Sequence, residues 1–183
     1  MLNKLLSVSI LAIIFSTHAM ALEATLEKHL PNMIFPASYE GVLPCADCAG
    51  IETRINLWED GVYHMHETTL GTPEGDQSFF SLGRWHADPI VKSKIYLHGS
   101  KEAPAVFTIL QDGSLEKQTI YGKPIASPHS NRLAPIVFTP ININTSMTGE
   151  FRYMADAALF TECHTQRTYP VAMESDYLAL EKA

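Results

Sequence analysis

The stretch "LPCADCAGIETRINLWEDGVYHMHETTL", Leu43 to Leu70, decides how this chain folds. Ile51, Thr53, Ile55 and Leu57 alternate with Glu52, Arg54, Asn56 and Trp58. A period of two in an extended strand sends one set to a core and the other to solvent. Glu59-Asp60-Gly61 then supplies turn chemistry and "VYHMHETTL" resumes the alternation, so residues 50–70 read as a β-hairpin. The register predicts that Ile55→Asp is far more damaging than Asn56→Asp, because an unpaired carboxylate in a core is costly. Two cysteines, Cys45 and Cys48, stand just ahead of the hairpin at C-x-x-C spacing.

Outward from the hairpin, strands continue at short intervals. "QSFFSLGRWH" runs into a turn at Ala87-Asp88-Pro89, "SKIYLHG" precedes Ser100 to Pro104, and "AVFTILQDGSLEKQTIYG" contains a turn at Asp112-Gly113 between two strands. Short strands with tight turns and no helical period between them predict an all-β fold, an antiparallel meander closing into a small barrel. The expected inner set is Ile51, Ile55, Leu57, Tyr63, Phe107 and Ile109. Trp85 reads as a core or barrel-end residue, because a large aromatic supplies more apolar area than other side chains.

The chain opens with "MLNKLLSVSILAIIFSTHAMALE": a basic Lys4, an apolar run from Leu5 to Phe15, and Ala19-Met20-Ala21 in the small-x-small form of a signal peptidase site. Residues 1–21 therefore read as an export signal cleaved after Ala21. The apolar run falls short of the roughly 20 residues of a membrane span, and none is expected in the mature chain. Without the leader, about 160 residues remain, enough for one domain and a small module. A formal net charge of −7 with no Lys/Arg cluster argues against a nucleic-acid partner.

Export places Cys45 and Cys48 in an oxidising compartment, where close pairs tend to form disulfides. A thioredoxin-type pair needs a helix N-terminus to stabilise the attacking thiolate, whereas here a strand follows, and Asp47 between the cysteines would raise thiol pKa values. Structural zinc needs about four ligands, and the only other cysteine, Cys163, is remote in sequence. A disulfide or a Cu(I) site remains. His64 and His66 flank Met65 on one strand face, about 7 Å apart at a rise of roughly 3.3 Å per residue, and could add imidazole to a copper site. The candidate metal set is thus Cys45, Cys48, His64 and His66.

The segment Tyr39 to Tyr63, "YEGVLPCADCAGIETRINLWEDGVY", resembles the start of the N-terminal domain of the copper resistance lipoprotein NlpE family. It joins G-x-L-P-C-A-D-C-x-G-I to a first strand and a D-G-x-Y turn. The resemblance implies a lipocalin-like small β-barrel in the bacterial envelope, linked to copper tolerance and to Cpx signalling of envelope stress. An envelope-stress sensor or another envelope protein would be its partner. Family lipoproteins carry a lipid-modified cysteine after the signal peptide; no cysteine follows Ala21 here before Cys45, and no lipid anchor is predicted.

The expected organisation is a lead-in over 22–38, the barrel over 39–121, a Pro- and Asn-rich connecting segment over 122–146, in which Ile136 to Phe138 could form a short strand, and a small β/α module over 147–183. The last segment, with A-D-A-x-x-F-x-x-C at its core, resembles a second module of longer NlpE-like proteins but does not obviously match the full OB-fold domain of the lipoprotein. Cys163 is left over as an odd cysteine. No G-x-S-x-G elbow, H-E-x-x-H helix or phosphate-cradling loop is present. The function expected is therefore non-enzymatic, in copper homeostasis and envelope stress, with C-x-x-C as a disulfide or a redox-gated Cu(I) site. A barrel for a small apolar ligand and a thiol-disulfide oxidoreductase are the alternatives.

Overall fold

The hairpin forms where the alternation places it. β2 (Gly50–Leu57) and β3 (Val62–Leu70) run antiparallel, with Ile55 opposite Met65 and Asn56 opposite His64. At the turn Gly61 adopts φ 82°, a left-handed conformation that suits glycine, and donates its N–H to the Trp58 carbonyl at 3.1 Å. The computed structural model describes residues 33–99, 101–154, 157–174 and 177–182, all within one compact unit, Pro31–Ala183. The export leader lies outside the described residues.

Around the hairpin, β1 (Ala37–Leu43), β4 (Gln77–Ala87), β5 (Lys94–His98), β6 (Ala105–Ile109), β7 (Leu115–Gln118) and β8 (Arg132–Ile136) complete a closed barrel of eight strands, each antiparallel to its neighbours. Tyr39, Ile55, Leu57, Tyr63, Met65, Leu97, Phe107, Ile109, Leu115 and Leu133 are buried and form the core. Of the expected inner residues, only Ile51 is half-buried: it sits at the rim, opposite Leu43 and Thr69. A Cβ on Gly83 would stand 1.9 Å from the His98 carbonyl oxygen, so the β4–β5 crossing admits only glycine there.

Two features depart from expectation. The barrel does not end at 121: β8, inside the segment read as a connection, closes it by pairing with β1 at Ser38, Tyr39 and Glu40. The strand is short and carries Pro135, which has no N–H to give the ladder, and it pairs with β7 only at Leu133 and Arg132. Asn56, assigned to the solvent set, is 0 % exposed. Its side chain does point away from the barrel interior, but the chain beyond β8 crosses the outer wall there. Asn56 Nδ2 donates to Ser38 Oγ at 2.6 Å and to the Thr139 carbonyl at 3.0 Å, and Oδ1 accepts the Ile141 N–H at 2.7 Å. Alternation reports which face a residue takes, and a covered outer face buries polar residues as completely as a core does.

In an up-and-down barrel, successive connections emerge at opposite ends. Those at 58–61, 88–93 and 110–114 lie at one end, where Trp85 stacks on Phe35 at 5.3 Å and donates Nε1–H to the Trp58 carbonyl at 2.9 Å. Trp85 is therefore a barrel-end residue. The connections at 44–49, 71–76, 99–104 and 119–131 share the other end. After the barrel, β9 (Gly149–Met154), β10 (Ala157–Glu162) and β11 (Thr168–Pro170) form an antiparallel sheet in the order β11-β10-β9, followed by the short helix α1 (Tyr177–Glu181).

Asn56→Ala leaves the Thr139 carbonyl and Ile141 N–H without their side-chain partner, and should cost about 1–3 kcal/mol per buried group left unpaired. Urea unfolding of Asn56→Ala, Ile55→Asp and Glu52→Ala checks this. Both of the first two should lower the midpoint well beyond the exposed Glu52→Ala; an Asn56→Ala midpoint equal to that of Glu52→Ala contradicts it.

Candidate functional site

Cys45 and Cys48 sit in the β1–β2 connection at the open end and are joined in a disulfide, with Cα atoms 5.4 Å apart. The strands on either side hold them there: Leu43 pairs with Ile51, and the Ala49 N–H donates to the Leu70 carbonyl at 2.9 Å. Both cysteines are half-buried, and Ala46, Asp47 and Ala49 are exposed. The Cys48 sulfur lies 3.3 Å from the Gly50 carbonyl oxygen.

The two histidines are elsewhere. β3 reaches the open end at Leu70, opposite Gly50, and His66 and His64 lie four and six residues back along it, about 13 and 20 Å away at roughly 3.3 Å per residue. Their rings also take different partners. His64 meets Trp58 edge-on at 4.5 Å, while His66 stacks flat on Phe80 at 4.4 Å. The structure thus does not bring Cys45, Cys48, His64 and His66 together, and among the described residues no group of three or more His, Cys, Asp or Glu side chains converges on one point.

His64 belongs instead to the seam between the barrel wall and the C-terminal sheet. Arg167 lies over the Trp58 ring at 4.7 Å and grips Asp60 with two nitrogens, the closest contact being 2.8 Å. Arg84 spans the same seam, donating to the Thr165 carbonyl at 2.8 Å and the Asp60 carbonyl at 2.7 Å. Burial disfavours the charged Asp60 carboxylate, but the hydrogen bonds from Arg167 and the Val62 N–H, with the nearby arginine charges, outweigh it and hold the pKa below the usual range. For His64, burial and then the Arg167 charge push the pKa down, against a smaller opposing pull from the Ile141 backbone and Asp60. On the far side of the seam Glu162, 1 % exposed, accepts the His164 and Thr165 N–H groups and the Thr165 hydroxyl. Cys163 beside it is exposed and unpaired.

The polar residues inside the barrel were missed by sequence reading. Glu67 follows Tyr63 and Met65 in phase, and Lys117 follows Leu115, so both point inward. The signal was the same alternation that located the core.

Comparison with known proteins now gives the architecture a family. The profile described as NlpE N-terminal domain matches residues 39–128, and that described as NlpE C-terminal OB domain matches 141–183. The chain belongs to the NlpE family. The second match extends the reading of the tail, which was expected to fall short of the full OB-fold domain. Lipoprotein NlpE of Escherichia coli K12 is 38 % identical over 152 residues, covering 79 % of this chain and 61 % of that protein. The chain therefore spans about three fifths of the length of that relative. Among solved structures, the Cpx pathway activator NlpE from Escherichia coli is 34 % identical, with a TM-score of 0.43 and 79 % and 74 % of the two chains covered. A candidate lipoprotein from Shewanella oneidensis is 26 % identical, with a TM-score of 0.49 and 58 % and 94 % covered. No helix among the described residues of this NlpE-family chain is long and apolar enough to cross a membrane.

The lowered pKa of His64 has a definite sign. Below the ordinary histidine value of about 6.5 the unfolded chain takes up a proton that folded His64 resists, so stability is level above that pH and declines below it. Urea midpoints of the wild type and His64→Phe between pH 7.5 and 5 check this. The wild type should lose stability more steeply; identical slopes contradict the assignment.

Proposed function

We propose that this NlpE-family protein is a non-enzymatic periplasmic component of the response to copper and envelope stress, acting through contact with an envelope-stress sensor of the Cpx type. Family membership supports this reading, as does the 38 % identity to lipoprotein NlpE of Escherichia coli. The observation that carries it is the Cys45–Cys48 disulfide, half-buried at the open end of the barrel and apart from the histidines.

The pair contributes little to the fold. A bridge between residues three apart closes a very small loop and constrains the unfolded chain only modestly. As a disulfide it is also a poor copper ligand. A dithiol donor changes that: the S–S bond breaks, two electrons and two protons convert it to two thiols, and the donor leaves as its own disulfide. Binding Cu(I) then displaces both protons and leaves two soft thiolates on the metal, a ligand type that selects Cu(I). The oxidised pair is the resting form and the reduced pair the copper-competent one. With His64 and His66 committed to Trp58 and Phe80, the two sulfurs act without imidazole.

Anaerobic Cu(I) titration against a competing chelator tests the gate, using oxidised protein, reduced protein, reduced Cys45→Ser/Cys48→Ser and reduced His64→Ala/His66→Ala. Reduced wild type and the histidine variant should bind one Cu(I) equally, and the other two should not compete. Equal binding by oxidised protein, reduced protein and the cysteine variant would remove these sulfurs from the metal chemistry and leave a local staple. Loss of binding in the histidine variant would overturn the two-sulfur site.

A further inference from the structure

A cavity of about 270 Å³ lies inside the barrel beneath its open end, walled by apolar Met65, Leu97 and Ala105 and by charged Glu67, Lys101 and Lys117. Lys117 is brought there by register: it sits opposite Phe107, two residues from the fully buried Leu115. Its ammonium lies 4.6 Å from the centroid of the Phe107 ring. Glu67 is closer to the exposed Lys101, whose Nζ stands 3.5 Å from Oε2, and among the described residues no carboxylate reaches ion-pair distance of Lys117. Lys101 therefore takes the one carboxylate, and Lys117 stands on the cavity wall without an ion pair.

An unpaired charge against apolar surface is costly, and burial accordingly lowers the Lys117 pKa, with Glu67 opposing and Lys101 adding to the shift. A positively charged ligand would meet two ammonium groups and a carboxylate already engaged. A neutral apolar ligand would strand Lys117 further from water. An anion with an apolar tail satisfies both halves of the site.

We propose that the barrel binds a medium-chain alkyl carboxylate, its head between Lys117 and Lys101 at the open end and its chain against Met65 and Leu97. The volume is slightly below the roughly 300–1,000 Å³ of typical small-molecule sites, which suits one chain of about ten carbons and excludes a two-chain lipid. This site shares the open end of the barrel with the Cys45–Cys48 loop but uses none of its atoms, so the two can be tested separately.

Calorimetric titration of the full chain with sodium decanoate, below its micelle concentration, and with decyltrimethylammonium reads the site directly. Decanoate should bind one to one and the cation at least about tenfold more weakly. Lys117→Met should lose about tenfold or more in decanoate affinity, and Ala105→Phe, which fills the cavity from its partly exposed rim, should abolish binding. In the wild type, decanoate should shift the Met65 and Leu97 methyl resonances, a readout that depends on no variant. Unshifted methyls, equal affinity for decanoate and the cation, or an unchanged affinity in Lys117→Met would each overturn the proposal.

Discussion

The hydrogen-bonded node at Asn56 governs how this chain is assembled. Ser38 Oγ accepts from Asn56 Nδ2 and from the Thr139 N–H, and Asn56 also holds the Thr139 carbonyl and the Ile141 N–H. The Asn56 carboxamide is thereby paired through both its nitrogen and its oxygen, as a buried amide requires. The node fixes where the chain goes after β8, and the C-terminal segment is thereby laid over the outer faces of β2, β3 and β4. Leu82 is 7 % exposed on a face that would otherwise meet water. The Asp60–Arg167 ion pair and the Arg84 hydrogen bonds to backbone then complete the seam, but the ion pair is partly exposed and weaker than the buried node.

That arrangement gives the barrel two unlike ends. Trp85 and Phe35 stopper one, while the other bears the Cys45–Cys48 loop over a cavity lined in part by charge. An eight-stranded barrel is just wide enough either to fill with side chains or to hold one small ligand, and this one does both along its length. Inner positions near the stoppered end carry Leu57, Ile95 and Leu115, whereas Glu67 and Lys117 lie on the inner wall towards the open end. Of the histidines that sequence spacing made attractive as ligands, His64 is consumed by the seam, where burial and a neighbouring guanidinium disfavour a positive charge on it, and His66 stacks on Phe80.

Much of this was legible in the chain itself. Period-two alternation located the hairpin, the meander and nearly all of the core, because side-chain direction in a strand depends only on parity. The C-x-x-C pair and its strand context left a disulfide or a Cu(I) site, and the structure holds the disulfide. What parity could not convey was cover. Asn56 takes the outer face as expected, yet its burial depends on Thr139 and Ile141, more than 80 residues later. The same limit misled the histidine reading, since Arg167, which lies over Trp58 beside His64, comes from another sheet. β8 was obscured because Pro135 and only five residues give a weak strand pattern, although closure of the ring supplies the missing stability.

Amide hydrogen exchange of the full chain, read by NMR, tests most directly whether the node at Asn56 holds the post-barrel segment on the wall. The Ile141 and Thr139 N–H groups should exchange as slowly as core barrel amides such as Phe107, and in Asn56→Ala they should exchange fast while Phe107 stays protected. Exchange of Ile141 and Thr139 in the wild type as rapid as that of exposed loop amides such as Glu74 would contradict the account.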